Sequence, residues 1–423
     1  MQYVSLEEAM QKIQSGHRIY LQGMSSTPHH LLEGIAVRGR ELEGVNLYHL
    51  HLEGPTPWIH HDLAKKVHDI SLFVGANLRD AVNDGRASYV PLFLSEVPWF
   101  LTQPQFRPHI VLLNVSPPDR HGYVSLGPTL EATLAAISQA DLVIAQINQH
   151  VPRALGDALI PLSSIDFAVK WDEPLSATTS KPADPLTDKI GNHAANLIPD
   201  RATLQLGIGQ IPDAVLRQLR DHKDLGVHSE MISDGVRMLS ERGVITGAYK
   251  ETDPGKIVAT FAMGSQDLFK FIDDNPEVSI RSVDYTNNTS VIRRNPRMIS
   301  VNSAIEVDLT GQVVAESIGA HIMSGVGGQM DFVRGASLAQ EGKSIIALPS
   351  RTAKGVSRIV PTVHSGAGVT TTRNHVQYVI TEYGIAELHG KTLEERARQL
   401  IQVAHPEDRE ALMQEAKKLF PAF

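Results

Sequence analysis

Thr203-Leu204-Gln205-Leu206-Gly207-Ile208-Gly209-Gln210-Ile211-Pro212 runs from a short apolar segment, over two glycines, to a proline. Proline is accepted in the first turn of a helix because no internal donor is lost there, so Pro212 to Arg220 reads as a helix following directly on a strand. The same joint recurs along the chain. Apolar bursts at Arg18 to Leu21, Ile110 to Val115, Leu142 to Ile147, Ile257 to Phe261 and Ile345 to Leu348 read as short buried strands. Between them Pro28 to Arg38, Leu130 to Gln139 and Lys391 to Val403 carry helical patterning. Alternation of this kind predicts an α/β fold with largely parallel sheets.

The two halves repeat one another faintly. Ile19-Tyr20-Leu21-Gln22-Gly23 precedes Pro28 by the same glycine-to-proline spacing that separates Gly207 from Pro212. Further on, Asp119 precedes Gly122-Tyr123-Val124 as Asp308 precedes Gly311-Gln312-Val313. Two related α/β domains account for both matches. Trp171 to Asp188, with Pro174, Pro182 and Pro185 among Ser, Thr and Asp, suits an exposed connection. It sets the expected domains at 1–180 and 190–423.

With 423 residues, two to three domains are the prior at roughly 150 residues each. Apolar residues at 42% and charged residues at 20% exclude disordered, collagen-like and coiled-coil classes. Lys and Arg number 39 against 47 Asp and Glu, and no basic cluster stands out, so no nucleic-acid partner is expected. Cysteine is absent, which removes disulfides, thiolate metal sites and a cysteine nucleophile. Met1 to Ser5 lead straight into amphipathic Leu6 to Ile13, and no run of eighteen apolar residues occurs. The expectation is a cytoplasmic protein without membrane contact.

Three segments can carry chemistry. The Gly207-to-Pro212 turn exposes backbone N–H groups that can hold a phosphate or a polarised carbonyl, or is simply a tight strand-to-helix turn. A dinucleotide fingerprint competes, with Glu230 twenty-odd residues on as the ribose acid, although Pro212 replaces that pattern's third glycine. His228-Ser229-Glu230-Met231 sets a carboxylate in an apolar segment; such an acid can attack an activated carbonyl, or can cap a helix or pair with a cation. In Gly325-Val326-Gly327-Gly328 three glycines in four residues serve either a turn or an oxyanion-binding loop. His49 and His51 share a strand face near His60 and His61, but without Cys or HExxH a metal is not expected. GxSxG and P-loop patterns are also missing.

Taken in order, Leu204 to Pro212, His228 to Met231, Val301 to Gln312 and Gly325 to Phe332 resemble the acetyl-CoA hydrolase/transferase family, and within it the 4-hydroxybutyrate CoA-transferases. Val115 to Gly127, Ser357 to Pro361 and Thr381 to Ala386 extend the likeness over nearly the whole chain. The resemblance implies two CoA-transferase-like α/β domains with the active site at their junction, and coenzyme A as a substrate with no metal or other cofactor. It makes Glu230 the catalytic glutamate, passing through an acyl-glutamyl anhydride and a glutamyl-CoA thioester. It puts Gly328 in the oxyanion loop and Asn287 near the reacting carbonyl. Gly207, Ile208, Gly209, Gln210, Ile211, Asn302, Gly327 and Lys354 become coenzyme A contacts, Lys354 as a local cation for phosphate. Glu382 either contacts the acyl group or orders the site. A homo-oligomer is the expected assembly. A CoA-transferase for short carboxylic acids such as 4-hydroxybutyrate, butyrate or acetate is thus the leading reading. An acyl-CoA hydrolase follows it, and a nicotinamide-dependent dehydrogenase or a non-catalytic CoA sensor is more remote.

Overall fold

The computed structural model describes residues 1–179, 182–207, 209–421 and 423. It divides into two compact units, each returning to the chain more than once. One comprises Met1–Thr179, Val258–Thr286 and Ile322–Gly327; the other comprises Ser180–Ile257, Asn287–His321 and Gly328–Phe423.

The first unit is built on an eight-stranded sheet. Its strands are β1 (Gln2–Tyr3), β2 (Arg18–Leu21), β3 (Val45–His49), β4 (Val67–Ser71), β5 (Ala87–Tyr89), β6 (Ile110–Val115), β7 (Leu142–Ile147) and β8 (Phe167–Lys170). They lie in the order β1-β8-β7-β6-β2-β3-β4-β5, every pair parallel. Parallel sheets are covered on both faces, which is why the central strand reads as an unbroken apolar run: β6 is buried at all six positions. The helix His29–Arg38 sends Leu31, Leu32 and Ile35 into the core with Ile19, Leu21 and Trp58. Beneath it the buried Trp58 indole and His49 imidazole both meet the Asp69 carboxylate, at 2.8 and 3.0 Å.

The second unit carries β9 (Thr203–Leu206), β10 (Gly226–His228), β11 (Met298–Ser303), β12 (Lys343–Ala347), β13 (Tyr378–Thr381) and β14 (Gly384–Glu387). These run β10-β9-β11-β12-β13-β14, parallel except for the last pair. Helix Leu393–Val403 starts on a capping box, Thr392 with Glu395, and turns Ala397, Leu400 and Ile401 onto Ile346 and Val379. Removing Leu400 and Ile401 from water contributes on the order of 2 kcal/mol each. Helix Pro185–Ala195 opens on proline with Asp184 as its cap, so the expected connection Trp171 to Asp188 ends in a helical turn. Among the described residues no helix is long and apolar enough to cross a membrane.

Candidate active site

Three neighbouring strands of the second unit bring the site level. β9 pairs with β10 through Leu204↔Val227 and with β11 through Leu206↔Val301. Counting on in the same registers sets Gly207 beside Glu230 on one flank and beside Asn302 on the other. All three stand at the carboxyl ends of parallel strands, where the chain turns away and α/β sheets bind their ligands.

Glu230 follows β10 by two residues, and its backbone is pinned through Ser229. The Ser229 hydroxyl donates to the Leu206 carbonyl at 3.2 Å and accepts from the Met231 N–H at 3.3 Å. Asn287 is fully buried; its amide nitrogen donates to Glu230 Oε2 at 3.2 Å and to Asp331 Oδ2 at 3.1 Å. The backbone N–H of Gly328 is also directed at the Glu230 carboxylate. Gly328 caps helix Gln329–Leu338, so this donor is not used inside the helix.

Surrounding protein disfavours the charged form of Glu230 most strongly, even though part of the residue still meets solvent. Asn287 and the Gly328 N–H pull the other way, while the Asp331 charge adds to the push. The balance lifts the Glu230 pKa from 4.5 to about 7. A Cβ at position 328 would collide with Glu230 Oε2 and Asn287 Nδ2, so any side chain there displaces the ends of one or both.

Beside this cluster Gly207 has no atom within 4 Å of the place a Cβ would take, and the same holds at Gly209, which caps helix Gln210–Gln218 with φ +114°. Gln210 is exposed, whereas Ile211 packs inward. Ile208 lies outside the described residues. Asn302 and Gln205 exchange amide hydrogen bonds at 3.1 and 3.2 Å across β9 and β11. Gly327 falls in the first unit, its carbonyl accepting from the Leu94 N–H at 3.0 Å. Lys354 is exposed on a turn closed by the Gly355 N–H on the Thr352 carbonyl at 2.9 Å. Glu382 accepts from the Ser350 N–H and hydroxyl at 2.9 and 2.6 Å.

Two buried charged groups of this unit were not singled out by sequence reasoning. Asp331 looks like any acid in a first helical turn, where the dipole favours negative charge. Lys250 looks like a surface lysine, yet its ammonium is buried and donates to the Val227 and Lys256 carbonyls at 2.8 and 2.7 Å. Burial pulls its pKa down to about 7. Among the described residues no group of three or more His, Cys, Asp or Glu side chains could hold a metal ion.

Comparison with known proteins adds a family to this geometry. Residues 1–178 match the acetyl-CoA hydrolase/transferase N-terminal domain and residues 264–416 its C-terminal domain. The chain is 47% identical over 418 residues to a 4-hydroxybutyrate coenzyme A transferase of Clostridium kluyveri, covering 99% of this chain and 97% of that protein. It is 46% identical over 411 residues to a succinyl-CoA:acetate/propanoyl-CoA:succinate CoA transferase of Fasciola hepatica, covering 96% and 86%. The solved 4-hydroxybutyrate CoA-transferase of Porphyromonas gingivalis superposes with a TM-score of 0.86 at 36% identity, over 99% of this chain and 98% of that one.

Proposed function

The chain belongs to the acetyl-CoA hydrolase/transferase family, and from that premise we propose that it moves coenzyme A between short-chain carboxylic acids by covalent catalysis on Glu230. 4-Hydroxybutyrate, butyrate and acetate are the candidate acids. The observation that carries the reading is the Glu230 carboxylate itself: it stands at the open end of a parallel sheet, is met by two N–H donors, and has a pKa near neutrality. Such a group is largely ionised just above pH 7 and more nucleophilic than an ordinary carboxylate.

The chemistry balances without a redox or nucleotide partner. An electron pair on a Glu230 oxygen attacks the acyl carbon of acyl-CoA, and the carbonyl pair moves onto oxygen. When it returns, the C–S bond breaks, leaving an acyl-glutamyl anhydride and the CoA thiolate. The thiolate then attacks the glutamyl carbonyl, expelling the first acid as its carboxylate and forming a glutamyl-CoA thioester. An incoming carboxylate runs both steps backwards, so one activated acyl bond is exchanged for another. Asn287 and the Gly328 N–H are the donors to the developing oxyanion; such donors are typically worth about 3 kcal/mol each. Gly207, Gly209 and Gln210, with Ile208 and Ile211, form the loop for coenzyme A. Asn302, Gly327 and Lys354 add contacts, Lys354 to phosphate. We place the reaction in the cytoplasm and in a homo-oligomer, the usual assembly of soluble multimers.

The deciding experiment is to expose the protein to acetyl-CoA, reduce with borohydride, digest and map the peptides by mass spectrometry. Reduction confined to Glu230 is the expected result. A different modified residue, or none while exchange proceeds, refutes the assignment. Release of CoA that ignores added acetate would identify a hydrolase instead.

A further inference from the structure

The amide nitrogen of Asn287 stands between two carboxylates, 3.2 Å from Glu230 Oε2 and 3.1 Å from Asp331 Oδ2. Turning that amide over would aim its oxygen at both negative groups. Asp331 is buried on the first turn of helix Gln329–Leu338, three residues after Gly328. One short stretch of chain therefore supplies the N–H directed at Glu230 and a charge close behind it.

Resting on the reading of Glu230 as nucleophile, we infer that Asp331 is a positioning residue for acyl transfer: it holds the Asn287 amide turned toward Glu230, and its charge raises the energy of ionised Glu230 relative to the attacking state. The second effect follows from where the electrons go. As the Glu230 oxygen bonds to the acyl carbon, negative charge leaves its carboxylate for the acyl oxygen, so repulsion from Asp331 is relieved along the reaction path. Differential stabilisation of this kind raises kcat rather than tightening substrate binding.

The surroundings of Glu230 make Asp331 the charge to test. β9 and the Gly207–Gly209 loop bring no titratable side chain, and the segment at Asn287 brings its amide. Lys250 donates to the Val227 carbonyl of β10 at 2.8 Å, three residues before Glu230, and is not among the groups that shift Glu230. His228, two residues before Glu230, is buried with its ring tilted against Phe332 at 6.3 Å. Arg334, one turn beyond Asp331, is exposed. Desolvation is the larger influence on Glu230, and the Asp331 charge adds to it in the same direction.

Asp331→Asn preserves shape and removes the charge. The acid limb of kcat/KM is expected to move down by about one pH unit. At pH 8 kcat should fall about tenfold, with KM for acyl-CoA within about twofold of wild type. Asp331→Ser, should the amide disturb folding, must move the limb the same way, and Asp331→Glu must return it toward wild type. A purely structural role lowers yield or melting temperature and leaves the limb in place; an unmoved limb in both charge-free variants overturns the inference. Borohydride trapping at Glu230 in the same variants keeps the two ideas apart. A trapped thioester with an unmoved limb sinks only the role of Asp331, whereas no thioester even in wild type sinks the nucleophile.

Discussion

Gly23 and Gly207 occupy matching places in the two units and face opposite circumstances. β2 pairs with β3 through Tyr20↔Tyr48 and with β6 through Leu21↔Leu112, so Gly23 stands level with His51 and Asn114. Gly207, by the same count, stands level with Glu230 and Asn302. A Cβ on Gly23 would strike the His51 carbonyl oxygen; a Cβ on Gly207 would meet nothing within 4 Å. The first unit fills its strand ends with its own chain. Gln22 donates to the Leu126 and Thr129 carbonyls, both at 2.8 Å, and accepts from the Asn114 N–H at 2.8 Å. One strand–glycine–helix joint has thus been closed by packing and the other left open beside a carboxylate. Repetition of a fold carries no guarantee that both copies keep a site.

The largest effect expected from breaking this asymmetry is at Glu230. Glu230→Gln should lower transfer by about a thousandfold or more, because an amide cannot form the anhydride. It should also stabilise the fold, and in a pH-dependent way. A carboxyl with a folded pKa of about 7 against an ordinary 4.5 is favoured by the fold when protonated, so wild type loses stability as pH rises from 4.5 through 7. The variant escapes that loss. At pH 8 it should be more stable by about 2 kcal/mol, discounted for the solvent that reaches the group, and at pH 4 the gap should close. Denaturant unfolding at both pH values checks this; a gap independent of pH would mean that ionised Glu230 is not strained by its setting.

How much of this was readable in advance follows from which interactions are local. Ile110–Val115 and Leu142–Ile147 are found at both predicted ends, since buried parallel strands are apolar throughout. Helices are found with shifted starts for identifiable reasons. The helix expected from Leu130 begins at Thr133, because Glu131 takes φ +48° and breaks the turn. The one expected from Pro212 begins at Gln210, since the glycine cap lies further upstream. The run Ile257 to Phe261 splits at Thr260, whose carbonyl is taken by the Leu130 N–H. Their own sequence neighbours left Glu230 and Gly328 open between a cap or turn and a reacting group; the proposed roles came from the family resemblance, and the structure adds that the two lie together with Asn287. The settings of Asp331 and Lys250 were not legible: they arise from partners far along the chain, Asn287 and Val227, and no local pattern encodes those meetings.

A sharper test substitutes alanine at the paired glycines. Gly23→Ala must move backbone or lose the fit, and should destabilise by about 2 kcal/mol or more, read as a lower denaturation midpoint. Gly207→Ala has room for its methyl within the free protein, so its midpoint should stay close to wild type. Its effect should appear as a severalfold rise in KM for acyl-CoA, because the methyl fills space proposed for the ligand. If Gly207→Ala also unfolds early and binds normally, the two joints are alike and the contrast fails.

The smallest effects belong to the feature the two units share most closely. Asp119 Oδ1 accepts from the His121 and Tyr123 N–H groups at 2.8 and 3.0 Å, and its carbonyl takes the Gly122 N–H. Asp308 Oδ1 accepts from the Thr310 and Gln312 N–H groups at 2.9 and 3.0 Å, and its carbonyl takes the Gly311 N–H. Offset for offset these are the same turn, with Gly122 at φ +79° and Gly311 at φ +95°. Their settings differ, since Asp308 is buried whereas Asp119 also faces Arg153 at 3.1 Å. The Tyr123 N–H, above all, holds Asp119 below the usual carboxylate range, so its contribution is present above pH 4 and fades as acid protonates it. Alanine at either position should lower the melting temperature by a few degrees at pH 7, more at 308, where the freed N–H groups have less access to water. Transfer rates should be unchanged in both. A loss of turnover without a loss of stability at either position would show that the shared turn serves the chemistry, and the division into common frame and specialised edge would have to be redrawn.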